Sequence, residues 1–362
     1  MAIIFAENIS TTRWNNGYNN NVVRFRSDLP RTPSKCTITV THEANAVPHT
    51  IEITPILGGF RFNFKNLFKI ISYDGFIDGF GYHDKDIIDR THGLLTVVYR
   101  VVFMDSTADQ ATVVYPFMKR VQQVAGEPPL LTTPTVLNGD IVMWDDFPID
   151  IFCLGFTPPV TITGSGVLVL TEPFNRIPLG VFPKQSASTL RFITQGFSIE
   201  PNCVVEPEMI PVGRSVLTLS SAAGVAALNI ERRVSCGGQY VKWFNTDRGC
   251  WSYWMFSPVY RDNLSVKTKI SFERDNASLP NSQHTQFVTG KNTEQERVLH
   301  TEDLTDSEKA LLNTLLVSPK VELWGNGLFI SALLADGMFE TQNTKRATHR
   351  LQITIKLKHY SY

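Results

Sequence analysis

The chain has 362 residues, enough for about two or three domains at the usual domain size. Lys and Arg together number 34, as do Asp and Glu, so the chain lacks the basic excess with which nucleic-acid-binding proteins offset phosphate charge. No apolar run approaches the roughly 18 residues that a membrane-spanning helix needs, and Met1–Glu7 has neither the basic nor the apolar region of a secretion signal. We therefore expect no nucleic-acid partner, no membrane span and no secretion signal.

The first predicted domain, residues 1–125, alternates between apolar and polar residues as β-strands do. The apolar spacing after this alternation predicts a short amphipathic helix near residues 65–72. The predicted strands are Cys36–Val40, His49–Ile53, Phe60–Phe64, Leu94–Phe103 and Thr112–Phe117.

Three prolines, Pro128, Pro129 and Pro134, mark a linker or long crossing loop at the start of a second predicted domain, residues 126–230. Short β-branched runs broken by turn residues are typical of a sandwich or barrel. The predicted strands are Ile141–Trp144, Ile149–Phe152, Val160–Thr163, Val167–Thr171 and Val216–Ser220.

The third predicted domain, residues 231–362, has the clearest local signals. Two aromatic runs flank Asn245–Gly249, whose Asn, Asp and Gly residues suit a hairpin turn. Thr305 and Glu308 form a capping box before an apolar stripe, which predicts a helix over 306–316. Taken together, the sequence predicts a mainly β protein with two or three sandwich or barrel modules and a few short helices.

The aromatic hairpin is the most unusual local feature of the chain. Side-chain parity places aromatic residues on both faces of the hairpin, more than one core requires. A sugar-stacking platform, an interface hot spot and a plug of the hydrophobic core are the three interpretations. The sequence predicts interface or glycan contact for Trp243, Trp251, Tyr253 and Trp254.

No pattern of catalytic residues is present, so the chain is predicted not to be an enzyme and to hold no cofactor. The five cysteines lack a C-x-x-C pair and indicate neither a zinc site nor a disulfide framework. His83 with Asp84, Asp86 and Asp89 is the densest possible metal cluster, but a solvated loop is the favoured interpretation and no metal is predicted. The paired carboxylates, Asp145 with Asp146 and Glu206 with Glu208, suggest a polysaccharide hydrolase only weakly, and acidic turns are favoured.

Three segments resemble one family of proteins. The first is Cys236-Gly-Gly-Gln-Tyr-Val-Lys-Trp-Phe-Asn245 followed by Gly249-Cys-Trp-Ser-Tyr-Trp-Met-Phe256. The others are Phe60–Lys69 and the block from Thr301–Thr305 through Ser318–Trp324. These segments are similar to blocks in a family of tail proteins of tailed bacteriophages. The resemblance places that family close to the distal tail and baseplate proteins. The middle of the chain, about 125–230, carries none of the blocks and is interpreted as an insertion.

The resemblance implies β-sandwich modules that form a ring at the tail tip and dock adsorption proteins. It implies other copies of the chain, tail tube, hub and fibre proteins as partners, and a location in the virion tail after synthesis in the host bacterial cytoplasm. A carbohydrate- or receptor-binding module of the virion, with a host surface glycan as its partner, is the alternative.

Overall fold

A computed structural model gives the fold. It describes residues 2–42, 45–71, 92–121, 129–145, 147, 149–156, 159–165, 167–170, 176–179, 190–191, 204–205, 210–235, 237–273, 286–325, 328–340 and 349–361. Residues 1–234 with 245–251 form one compact unit, and residues 235–244 with 252–362 form another. The division into three domains at 125/126 and 230/231 stays a prediction.

In the N-terminal part of the first unit, the described residues form two sheets and one helix. One sheet has the order β1-β3-β6, and the other has the order β2-β8-β7-β4-β5. The elements are β1 (Ile3–Glu7), β2 (Asn15–Asn16), β3 (Val22–Ser27), β4 (Pro33–His42), β5 (Asn45–Ile53), β6 (Phe60–Asn63), α1 (Phe64–Ile71), β7 (His92–Phe103) and β8 (Ala108–Met118).

These two sheets share one hydrophobic core, to which the strands other than β2 contribute apolar residues. Phe25 of the smaller sheet lies with its ring centroid 4.8 Å from that of Tyr99 in the larger sheet. The predicted short helix is present as α1, and its Phe68 stacks on Phe117 at 5.3 Å. Burial in this core raises the pKa of the Cys36 thiol to about 12, which makes it an inert apolar residue.

The described residues in the rest of the first unit form three further sheets. A five-stranded sheet has the order β10-β18-β17-β12-β13, and two smaller ones have the orders β14-β11-β9 and β15-β16. Leu217 and Leu228 are cross-strand partners on the buried face of the larger sheet. The strands are β9 (Thr135–Val136), β10 (Ile141–Trp144), β11 (Ile149–Leu154), β12 (Val160–Thr163), β13 (Val167–Leu170), β14 (Arg176–Leu179), β15 (Leu190–Arg191), β16 (Val204–Val205), β17 (Gly213–Ser221) and β18 (Gly224–Arg233).

One seven-stranded sheet, ordered β20-β19-β23-β24-β25-β22-β21, dominates the C-terminal part of the chain. Helix α2 packs through Leu312 and Leu315, which are buried, and through Leu316, which lies over Gly337. The elements are β19 (Gln239–Asn245), β20 (Cys250–Phe256), β21 (Tyr260–Glu273), β22 (Gln286–His300), α2 (Asp306–Leu316), β23 (Val321–Gly325), β24 (Leu328–Glu340) and β25 (Arg350–Ser361).

The predicted capping box of α2 is confirmed. The Thr305 hydroxyl accepts a bond from the backbone N–H of Glu308, and the Glu308 carboxylate accepts one from the backbone N–H of Thr305 at 2.7 Å. Two of the helix's otherwise unpaired donors are thereby satisfied. A sequence signal of four residues was sufficient because both partners lie within one turn.

We expect Thr305→Ala to lower the free energy of unfolding by about 1 kcal/mol, because it removes the cap acceptor. Thr305→Ser keeps the hydroxyl and is the matched control, with an expected loss of only a few tenths of a kcal/mol. Urea unfolding followed by far-UV circular dichroism measures both. Equal losses for the two variants would show that the cap does not contribute to stability.

The prediction of a mainly β fold made of several modules is confirmed, and both helices of the described part are short. Among the described residues, no helix combines the length and the apolar character that crossing a bilayer requires. The fold therefore places its potential sites on sheet faces, sheet edges and turns.

Candidate functional site

The structure places the four predicted contact residues inside the chain. Trp243, Trp251, Tyr253 and Trp254 are each at most 4% exposed, and every residue of β20 is buried. This burial favours the interpretation of the aromatic hairpin as part of the core. Contact with a partner or a glycan stays a prediction for these residues, and it would require the hairpin to open.

Two glycines at the start of the hairpin have separate structural roles. Gly237 has a φ of +79°, in the left-handed region that glycine adopts without strain. Gly238 lies so close to β20 that an added Cβ would be 2.1 Å from the carbonyl oxygen of Phe256. The Gly-Gly pair thus sets both the entry angle of β19 and its approach to β20.

The hairpin turn is organised by Asn245. Its side-chain oxygen accepts bonds from the backbone N–H groups of Asp247 and Arg248, at 3.1 and 3.2 Å. Its backbone carbonyl accepts a bond from the N–H of Gly249 at 2.8 Å, and Gly249 has a φ of +74°. These bonds explain why the segment ends in Asn and Gly, and they assign those residues to folding rather than to chemistry.

The turn belongs to the first unit and is bound to it by polar contacts. The backbone N–H of Val121 donates to the carbonyl of Thr246 at 2.9 Å, and Arg120 Nε donates to the carbonyl of Asp247 at 2.6 Å. Arg248 also donates to the carbonyl of Asn138. The turn is therefore held at several points.

Sequence reasoning missed a buried ion pair between β19 and β23. Lys242 and Glu322 are cross-strand partners, with Nζ 2.9 Å from Oε2 and side chains only 1% and 5% exposed. Glu322 Oε2 is in contact with Lys242 Nζ without the geometry of a hydrogen bond, so attraction between the two charges dominates the contact. Lys242 Nζ also lies 4.3 Å from the ring centroid of Phe329, a cation–π arrangement.

The surroundings of this pair favour a structural role. Tyr240 stacks on Tyr253, with ring centroids 5.9 Å apart. Tyr240 lies in β19, the strand of Lys242, and Tyr253 lies in the neighbouring strand β20. A second cation, Lys320 Nζ, lies 3.7 Å from Glu322 Oε1. The negative charge of the Glu322 carboxylate is thus balanced by the two nearby lysines. The available sequence signal was the occurrence of one charged residue inside each of two otherwise uncharged strands.

The other chemical candidates yield no site in the described part of the chain. Asp145 forms an ion pair with Arg232 Nε at 2.6 Å, which occupies its carboxylate. The possible metal cluster at 83–89, together with Asp146, Glu206 and Glu208, lies outside the described residues. Among the described residues, no group of three or more His, Cys, Asp or Glu side chains is placed to hold a metal ion.

The edge of the seven-stranded sheet at β21 is a candidate interaction surface. β21 has 14 residues, stands last in the strand order and pairs with β22, its one neighbour among the described strands. Leu264 and Val266 are 71% and 53% exposed, and Val259 precedes the strand at 74%. Alternating apolar residues in 260–273 were the sequence signal that could have revealed this strand.

The start of β21 is bound to β22 by an ion pair. Arg297 binds Asp262 through two bonds of 2.7 and 2.8 Å, and its guanidinium lies 4.0 Å from the ring centroid of Tyr260. The bond from Arg297 also lowers the pKa of the Asp262 carboxyl, so the pair stays charged at neutral pH. A long, ordered and partly apolar edge is suited to pairing with another strand.

No protein-family model matches this chain, and no curated protein matches it. A solved structure of the periplasmic chaperone SfaE is similar over 65% of this chain and 100% of the chaperone chain, with 11% identity and a TM-score of 0.20. At this TM-score, no property of the chaperone is transferred to this chain.

Proposed function

We propose that this chain is a structural component of a phage tail, of the distal tail or baseplate type, that assembles into a ring at the tail tip and docks adsorption proteins. The observation that carries the proposal is the exposed edge of β21 on a β-rich scaffold. The three tail-like sequence segments support the placement in a tail. Their glycines and Asn245 act in folding, as expected of a protein whose role is mechanical.

The edge supplies what an assembling protein needs. The backbone N–H and C=O groups that point away from β22 can pair with a strand of another copy, and Leu264 and Val266 add apolar area. A net charge of zero gives no general repulsion between copies. A ring requires two different complementary patches on each subunit, of which this edge would be one.

Light scattering with negative-stain imaging tests the proposal. We expect the purified protein to form a closed oligomer, such as a hexamer at six times 40.7 kDa. Leu264→Lys/Val266→Lys should shift it toward the monomer, because lysine on an edge strand opposes strand pairing. Val216→Lys/Val225→Lys is the matched control: both valines are exposed, on strands inside another sheet. A wild-type monomer at every soluble concentration would contradict self-assembly.

A further inference from the structure

The outer face of the three-stranded sheet carries a cluster of arginines. Arg24, Arg26 and Arg61, here called the arginine face, are exposed, whereas the alternate residues Val23, Phe25 and Phe60 are buried in the core. Arg24 and Arg61 are direct cross-strand partners, and exposed Ile4 is opposite Arg26. Alternation along each strand therefore directs all three guanidinium groups outward.

The chain itself only partly compensates this positive charge. Arg24 Nε lies 3.0 Å from a carboxylate oxygen of Glu7, in an exposed pair. Within the described part of the chain, neither Arg26 nor Arg61 forms an ion pair. Like charges opposite each other in a sheet are destabilising. An anionic surface bound to this face would remove that repulsion.

An apolar turn leads directly into the same sheet. Ile56 and Gly59 exchange two backbone bonds, of 2.7 and 3.1 Å, around Leu57 and Gly58. Leu57 has a φ of +50° and its side chain is fully exposed, at 104%. Such turns are normally made by Asn or Gly, since a left-handed conformation is unfavourable for leucine. Leu57 thus has a conformational cost that burial against the described residues does not compensate.

An exposed apolar tip beside arginines is typical of the centre of a protein–protein interface. The chain has as many acidic as basic residues, 34 of each, so a second copy can supply carboxylates to match these arginines. Four acidic residues, Glu302, Asp303, Asp306 and Glu308, are here called the acidic run; the first three are exposed and Glu308 is half-buried. Arg350 and His349 contact Asp303 and Asp306, at 2.8 Å each, so the run retains an excess of negative charge.

We propose that the arginine face and the Leu57 turn of one copy dock on the acidic run of a second copy. Two different patches meet in this contact, which makes it heterologous and compatible with a ring. The inference rests on the proposed self-assembly and assigns one of its interfaces. A nucleic acid is a less suitable partner for this face, because the chain has no basic excess and the tip is apolar.

Charge reversal tests the contact. Arg26→Glu/Arg61→Glu should weaken assembly, measured by light scattering, at least about tenfold. The fold should tolerate it, because the new carboxylate at position 61 would face Arg24. Arg100→Glu/Arg214→Glu changes the net charge equally on other exposed surfaces and should have little effect. Combining the first variant with Glu302→Arg/Asp303→Arg in one chain should restore assembly.

The Leu57 turn gives a second test, in which one substitution is expected to raise stability and to weaken assembly. Leu57→Asn should raise the midpoint of thermal unfolding, since asparagine suits the left-handed conformation, and should weaken assembly at the same time. The proposed contact alone is overturned if the wild type assembles and neither Arg26→Glu/Arg61→Glu nor Leu57→Asn weakens assembly. It is also overturned if the combined reversal does not restore assembly. Failure of the wild type to assemble would overturn the proposed function as well. Binding of single-stranded DNA that is lost in Arg26→Glu/Arg61→Glu would reassign the face to nucleic acid.

Discussion

Gly238→Ala is expected to lower the free energy of unfolding by about 3 kcal/mol. The added methyl group would stand 2.1 Å from the Phe256 carbonyl oxygen and 2.8 Å from Met255 Sδ. A flexible side chain can move aside, but a backbone carbonyl in β20 can move only if the strand moves. Urea unfolding followed by tryptophan fluorescence measures the effect, because Trp243 and Trp254 lie in the same hairpin.

The adjacent glycine is a matched control. An added Cβ at Gly237 meets nothing within 4 Å, and the cost there comes from its φ of +79° alone. Gly237→Ala should therefore cost about 1 to 2 kcal/mol. Similar losses for the two variants would show that the close approach of β19 to β20 does not constrain the sequence.

Local signals explain what could be predicted from the sequence. The capping box before α2, the helix near 65–72 and the two strands of the aromatic hairpin each depend on residues within a few positions of one another. Propensity and periodicity act over the same short range, so these elements could be placed without knowledge of the tertiary fold.

Long-range pairing explains what could not be predicted. Lys242 and Glu322 are 80 positions apart, and only the register of β19 against β23 brings them together. Likewise, parity divided the hairpin aromatics between two faces, but whether each face is buried depends on what packs on it. The Leu57 turn is recognisable only from its φ and exposure, since a leucine before Gly-Gly carries no turn signal of its own.

The tail-like segments have a common physical character. Gly238 permits close strand approach, Asn245 organises the turn, and the Thr305–Glu308 box begins α2. Residues with such roles specify a backbone, not a reaction. The resemblance therefore supports a shared architecture more directly than any shared ligand. The edge of β21 and the Leu57 turn lie outside these segments, whereas Arg61, Glu302 and Asp303 of the proposed contact lie inside them.

Lys242→Met is expected to lower the free energy of unfolding by about 3 to 5 kcal/mol, because it leaves the Glu322 carboxylate buried without its main counter-charge. Lys320, at 3.7 Å from the other carboxylate oxygen, compensates only in part because its side chain is more exposed. Replacing both partners, in Lys242→Met/Glu322→Leu, should recover most of the loss, since desolvation of both charges is then avoided.

The surface pair between Lys35 and Glu52 isolates the effect of burial. It also joins neighbouring strands, at 2.6 Å, but its side chains are 45% and 60% exposed. Lys35→Met should cost at most about 1 kcal/mol, because water solvates the remaining carboxylate. Urea unfolding of all three variants gives the comparison. If Lys242→Met costs no more than Lys35→Met, the Glu322 site is hydrated in solution, and the hairpin would then be open enough for its aromatic residues to reach a partner.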